Sequence, residues 1–433
     1  MRTTPRRVGP KACVASVAIA LLSAGACSSG SGQAADDNVS LRMTVWSGDK
    51  SQLALFTSIA DDYKKSHSNV KAITFDVIPL DGYTTALTTQ VAGSSPPDLA
   101  WIQERDAPDF VSSGALTDLS PTLKSAQDYN VTDLAPTATK LWQREGKLYA
   151  YPFSTSPFGV FYNNDLLAKA GVKQTPDDLV KQGQWTWQNA EKIAAQVSAQ
   201  VPGKSGLVVR DFDYKNWTLL ASIWRGFGAD AWSADGKTCG FNSPPMISAM
   251  AFLHDAIFKD KALPSPGTTA DFFAGEAGMT VTQISRASLL KDKPFKWSIV
   301  PLPAGPASNA QVIGQAGIGV LTKGSHKQAA GDFLAFFTNP ANSAKLGQYF
   351  PPARVSQLTA TGLAKVSPLF TPAQLQTVVI DGIKNGTTLP SHTNNAKINT
   401  LVQSALDPLW KTDADVPGVL GGVCKAIDPM LSQ

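Results

Sequence analysis

Eight consecutive residues near the middle of the chain come closest to a named chemical signature. Ala231-Trp232-Ser233-Ala234-Asp235-Gly236-Lys237-Thr238 matches a relaxed phosphate-loop pattern, with Ala in place of the first Gly. That chemistry needs a helix directly after Lys-Thr, whose N-terminal amides hold the phosphate. Cys239-Gly240-Phe241-Asn242-Ser243-Pro244-Pro245 follows instead and cannot supply one. Asp235-Gly236 suits a hairpin turn. Other catalytic patterns are absent. There is no G-x-S-x-G, and His67, His254, His326 and His392 are scattered, without H-E-x-x-H or C-x-x-C. Carboxylates are plentiful but form no conspicuous pair. No cofactor or metal is expected. An enzyme acting on glycosides would need two carboxylates converging on one cleft.

The positive signal is aromatic. The chain carries ten Trp, several of them at predicted strand ends or in loops: Trp46, Trp101, Trp217, Trp224 and Trp232. A sugar presents apolar C–H faces and a polar rim. An aromatic platform ringed by Asp, Asn and Lys matches that chemistry. For each Trp the competing explanation is core packing, and Trp187 and Trp297 fit it best.

The N-terminal residues read as an export signal. Arg2, Arg6, Arg7 and Lys11 precede the nearly apolar stretch Ala12 to Ala26. That stretch is short for a membrane span, so residues 1–26 are expected to be a cleavable signal peptide. Ser23-Ala24-Gly25-Ala26 before Cys27 resembles a lipobox, with Ala24 where Leu is usual. Cys27 is then the lipidated first residue of the mature chain, and 27–38 a flexible tether. An ordinary secretory signal is the alternative. Removing the four signal cations leaves 38 − 4 = 34 Lys and Arg against 34 Asp and Glu. A neutral mature chain gives no steering toward nucleic acid. With Cys27 lipidated, Cys239 and Cys424 remain in an oxidising compartment, and pairing them is the simplest accounting. Two free thiols are the alternative.

Positioning elements follow from periodicity. Leu41–Trp46 alternates, Gln52–Lys65 has a helical apolar face, and Ile73–Leu80 reads as a second strand. A helix over Tyr83–Ala92 and a strand over Leu99–Ile102 complete βαβαβ, the mark of a parallel sheet. Asp49-Lys50 and Gln103 to Asp106, Glu104 among them, then sit at strand carboxyl ends, where such sheets bind ligands. Strands are also expected over Gly159–Tyr162, Lys296–Pro301 and Gly317–Leu321. Helices are expected from Thr186, around Trp217–Phe227, over Pro245–Lys259 and over Lys327–Thr338. About 400 mature residues call for two domains.

From Leu41 onward the chain resembles the family 1 extracellular solute-binding proteins. The resemblance rests on Val45-Trp46-Ser47-Gly48-Asp49-Lys50, Pro97-Asp98-Leu99-Ala100-Trp101, and Gly146 to Pro152 leading into Phe161 to Leu167. Phe272 to Met279, Val300-Pro301-Leu302-Pro303 and Phe333 to Phe337 continue it in order. It implies an α/β, two-lobed periplasmic-binding-protein-like fold with crossing hinge segments. The first lobe would comprise 39–152 plus 298–348 and the second 153–297 plus 349–433. It further implies a non-catalytic, monomeric receptor at the extracellular face of the membrane that passes a mono- or oligosaccharide to an ABC permease. Asp49 and Lys50 match polar sugar contacts, and Tyr214 an aromatic contact in the second lobe. Ser156 and Ser285 replace a carboxylate and a stacking Trp, which argues against maltose. Gly314 and Gln315 resemble a strand entry that approaches ligand. Tyr83 and Asn394 complete the expected contacts. A glycerophosphodiester or polyol-phosphate receptor is the alternative, for which Lys50 and Arg225 are the candidate cations.

Overall fold

The computed structural model describes residues 38–210 and 216–432. Strand β1 (Val39–Val45) lies between β2 (Val70–Val77) and β3 (Leu99–Gln103), parallel to both. Helix α1 (Lys50–Ser66) connects β1 to β2, and α2 (Tyr83–Ala92) connects β2 to β3. Helix α1 forms where the apolar spacing puts Phe56, Ile59, Ala60 and Tyr63 on one buried face. Its start is fixed by Asp49, whose side chain accepts from the Gln52 backbone N–H.

Two long strands organise the rest of the sheet. Ala150–Asn163 and Gln311–Val320 pair antiparallel with each other, and the second also pairs with β3. Every residue in both is buried. Ala150, Tyr151 and Phe153 belong to one apolar core, Phe158, Val160 and Tyr162 to another. Likewise Val312 packs in the second core and Ala316, Ile318 and Val320 in the first. These strands are the segments that cross between two α/β lobes. The first core takes in β1–β3, α1 and the helix Lys327–Phe337. The second takes in strands Ser205–Val209 and Ala277–Gln283 and the helices Trp187–Gln200, Pro244–Phe258, Asn395–Leu406 and Val416–Leu431. A further apolar cluster holds Phe161, Ile299 and Phe370.

Strand Trp297–Pro301 pairs with Gly159–Asn163, and Val300, Leu302 and Val312 pack in the second core. Residues 298–313, expected in the first lobe, thus include side chains that pack against the second core. The expected helix around Trp217–Phe227 is three short turns, Trp217–Leu220, Ala221–Trp224 and Arg225–Phe227. It stops at Gly228, whose φ of 81° is left-handed. The segment around Asp235-Gly236 is a tight turn, with Trp232 bridged to Cys239 and Ser233 N–H donating to the Thr238 carbonyl. Cys239 is bonded to Cys424, closing a sequence separation of 185 residues. No described helix is long and apolar enough to cross a membrane.

Candidate ligand-binding cleft

Between the two cores the crossing strands turn polar. Ser154, Thr155 and Ser156 separate the apolar ends of one strand, and Gly314 and Gln315 occupy the same level of the other. Gly314 pairs with Ser156, and Gln315 with Thr155. Ser156 Oγ accepts from the Ser285 backbone N–H at 3.0 Å. A Cβ on Gly314 would come within 3.0 Å of the Gln283 side-chain nitrogen, so glycine here gives Gln283 its place.

A cavity of about 150 Å³ opens over this floor. One wall is aromatic: Trp46, Phe153 and Phe350 all border it. Trp46 is half-buried and meets Trp101 edge-on at 4.8 Å, while Phe350 meets Phe153 edge-on at 5.1 Å. The lining also has polar members, Gln103, Glu104, Gln283 and Gln315 among them. At Gln103, Glu104 and Arg210 the cavity meets a second one of about 350 Å³, reaching Asp81, Arg105, Asn216 and Leu389. Residues of both lobes thus border one continuous cleft.

Its electrostatics centre on Glu104. Burial pushes the Glu104 carboxyl up to about 7, opposed by its own backbone N–H, Arg105 and Arg210 and assisted by Asp106. Arg210 follows strand Ser205–Val209 with a left-handed φ of 54°, and its guanidinium donates to Gln283 at 3.2 Å. Arg286 borders the cleft and stacks over Phe273, 4.8 Å from the ring centre. Among the buried polar atoms without a protein partner are Gln103 Nε2, Gln315 Oε1 and, on the floor, Thr155 Oγ1.

Of the residues singled out in the sequence, Trp46, Gln103, Glu104, Ser156, Gly314 and Gln315 are brought together around the cleft. Several others are not. Tyr83 is 1% exposed and donates its hydroxyl to the Thr44 and Trp101 carbonyls. Trp101 is 1% exposed, stacked on Phe153 behind the cavity wall. Trp224 is fully buried against Trp217 and Phe241. These three are core residues: Trp101 lies within β3, Tyr83 opens α2 and Trp224 ends a short helical turn, and each ring packs inward. Trp232 packs edge-on against His392, away from both cavities. Asp49 and Lys50 are exposed at the start of α1, and neither borders a cavity. Asn394 is exposed and bonded to Asp109. Arg225 is buried, donating to the Thr387 and Thr388 carbonyls and paired with Asp230, so its charge serves packing. Tyr214 and Cys27 lie outside the described residues.

Sequence reasoning missed Phe153, Phe350, Gln283, Arg210 and Arg286. Phe153 and Gln283 lie in or at the end of strands whose inward faces were legible only in part. Arg210 carried one usable signal, since it directly follows the apolar run Gly206 to Val209 and so sits at a strand end.

Two α/β lobes, crossing strands and a cleft bordered by both define a protein that encloses a small solute. The chain belongs to the bacterial extracellular solute-binding protein family, whose model matches residues 47–344. It is therefore a solute receptor of the ABC importer type, not an enzyme. A lipoprotein from the oleD 5′ region of Streptomyces antibioticus is 25% identical over 343 residues, 76% of this chain and 73% of that protein. The ABC substrate-binding protein of Listeria monocytogenes in complex with cycloalternan superposes with a TM-score of 0.79. It is 22% identical and covers 91% of this chain and 99% of its own. UgpB from Mycobacterium tuberculosis in complex with glycerophosphocholine gives 0.75, at 20% identity, covering 91% and 99%. At these identities the two structures establish the fold.

Proposed function

We propose that this receptor is anchored by lipid at the outer face of the cell membrane and captures a neutral mono- or oligosaccharide between its lobes. The observation that carries the saccharide reading is an aromatic wall in the same cavity as two side-chain amides that each keep one atom without a protein partner. Trp46, Phe153 and Phe350 offer a surface for the apolar face of a pyranose. In the same lining, Gln103 Nε2 can donate and Gln315 Oε1 can accept, and neither has a protein partner. Leaving such groups dry costs about 1–3 kcal/mol each. A sugar hydroxyl both donates and accepts, so it satisfies either group. The Listeria neighbour's bound cycloalternan is in keeping with this choice.

A glycerophosphodiester is the second reading, and two observations favour it. Arg210 and Arg286 both border the cleft, and the mycobacterial neighbour is in complex with glycerophosphocholine. Isothermal titration of the mature protein separates the two. The saccharide reading expects heat from members of a neutral sugar panel and none from glycerophosphocholine or glycerol 3-phosphate. Binding only the phosphorylated probes, with affinity falling as salt rises, selects the second reading.

The anchor rests on the small residues before Cys27 and the Ser/Gly run after it. The Streptomyces antibioticus relative is itself a lipoprotein. Cys27→Ala should release the receptor into the medium, and a variant that still fractionates with membranes rejects the anchor.

A further inference from the structure

The lobes also bond to each other directly, beside the cleft. Asp109 sits on the short helix Ala107–Ser112, whose Ala107, Phe110 and Val111 pack in the first core. Its carboxylate accepts two consecutive backbone N–H groups from the other lobe, Asn394 at 2.8 Å and Asn395 at 3.2 Å. Those amides open the helix Asn395–Leu406, which packs through Ile398, Val402 and Leu406 in the second core. The Asn395 side chain then donates to Asp106 Oδ1 at 3.0 Å, and Thr84 donates to the other Asp106 oxygen at 2.5 Å. Asn395 and Asp106 are each 7% exposed, so this part of the contact is shielded from water.

The geometry is prepared from the second-lobe side. Asn394 has a left-handed φ of 62°, which turns two successive amides toward a single anion. The start of a 12-residue helix adds its own preference for negative charge. Behind Asn394, His392 is held to the Gly236 carbonyl at 3.0 Å and lies edge-on to Trp232. The loop is thus fixed to its own lobe before Asp109 reaches it. Asp106 and Asp109 follow Arg105, which borders the cleft, so the contact lies next to the ligand space.

We propose that Asp106, Asp109, Asn394 and Asn395 form a closure clasp, a lobe-to-lobe contact that stabilises the closed arrangement over the open one. Ligand capture then draws on bonds that never touch ligand. A ligand shifts an open–closed balance only by its differential affinity, so a clasp that favours closure lowers what the ligand must supply. The inference rests on the two-lobed capture reading but not on the identity of the ligand.

Small-angle scattering of the mature protein without added solute tests it. Wild type should populate the arrangement in which Asp109 reaches the Asn394 and Asn395 amides. Asp109→Ala and Asn395→Ala should each shift the curve to a larger radius of gyration, with the double variant opening no further than the more open single. Melting temperatures should stay close to wild type, since each lobe keeps its core. Curves identical for wild type and both single variants overturn the clasp. A wild-type curve that fits only an open arrangement also overturns it. A large loss of melting temperature without any opening reassigns the contact to local structure and rejects the proposal. None of these outcomes bears on whether the ligand is a sugar or a phosphodiester, which titration decides separately.

Discussion

In the first lobe, Trp101 stacks on Phe153 at 4.4 Å, and Trp46 meets Trp101 edge-on. In the second, Trp217 and Trp224 stack at 6.3 Å, and both meet Phe241 edge-on. The two clusters use the same residues and similar geometry. They differ in their surroundings. The first sits at the carboxyl ends of parallel strands β1 and β3, and its outer members Trp46, Phe153 and Phe350 open onto the cleft. The second lies within the second core, where Cys239, bridged to Trp232, is bonded to Cys424 of the helix Val416–Leu431. Trp217, Trp224 and Trp232 border neither cavity of the cleft. Aromatic identity is the same in both places, and position relative to the strand ends decides which cluster can meet a ligand.

The strongest way to break this contrast is to remove the disulfide of the second core. Replacing Cys239 and Cys424 together by Ser removes a link across 185 residues of sequence. On the chain-entropy account this should cost about 4–5 kcal/mol. Urea unfolding followed by Trp fluorescence measures it. Loss of stability with unchanged affinity per folded molecule keeps the second cluster structural, whereas affinity that falls in step would give it a role at the cleft.

A matched pair of truncations sharpens the contrast. Trp224 is fully buried, so Trp224→Ala should destabilise by about 3–5 kcal/mol and leave binding intact in whatever folds. Trp46 is half-buried on the cavity wall, so Trp46→Ala should weaken ligand binding about tenfold, near 1.4 kcal/mol, and cost less stability. Denaturant titration and calorimetry on both variants check it. The assignment fails if the two show the same balance of effects.

Electrostatics distinguish the polar lining of the cleft. Glu104 is pushed from 4.5 to about 7 by burial, so the folded protein holds this proton more tightly than the unfolded chain. Its protonated form is therefore favourable up to about pH 4.5, and that contribution is lost as pH rises toward and through 7. Glu104→Gln keeps the neutral shape at every pH. The melting temperature of wild type minus that of Glu104→Gln should fall between pH 5 and 8. A difference that stays flat, or rises, would remove Glu104 from the buried side of the cleft.

Much of the first lobe was legible because its signals are local. Alternation in β1, the apolar face of α1 and the stop at Gly93 each sit within a few residues of the element they define. The crossing strand Ala150–Asn163 was legible only as fragments. Pro152 and Pro157 argue against a central strand. They are accommodated where the pairing with Gln311–Val320 shifts register, between Ala316 and Gly317, and opposite Ile313. The cleft was legible where it follows strand ends, as at Gln103 and Glu104. Arg210, Gln283 and Phe350 were not, because they join the cleft through lobe packing across large sequence distances. Tyr83 and Trp101 show the reverse case. Trp101 lies in β3 and Tyr83 at the start of α2, both near the cleft level of the sheet, but they point inward, and type and position alone do not give orientation.

The finest division runs between Trp46 and Asp49, three residues apart at the end of β1. Trp46 turns its ring to the cavity, whereas Asp49 is exposed and accepts from the Gln52 backbone N–H at 2.9 Å. A sugar contact and a helix cap make opposite demands on the same carboxylate. If Asp49 only caps α1, Asp49→Ala should cost about 1 kcal/mol of stability, the usual worth of an N-cap. Asp49→Asn should restore most of that, because an amide oxygen accepts the same backbone bond. Affinity should stay within about twofold for both, since a charge-assisted bond to ligand would cost about 1.5–3 kcal/mol if it were lost. Urea unfolding gives the first quantity and calorimetry the second. Should both variants lose more than tenfold in affinity, with Asp49→Asn as stable as wild type, Asp49 belongs to the ligand site and the cleft extends further along the β1 end than its two cavities reach.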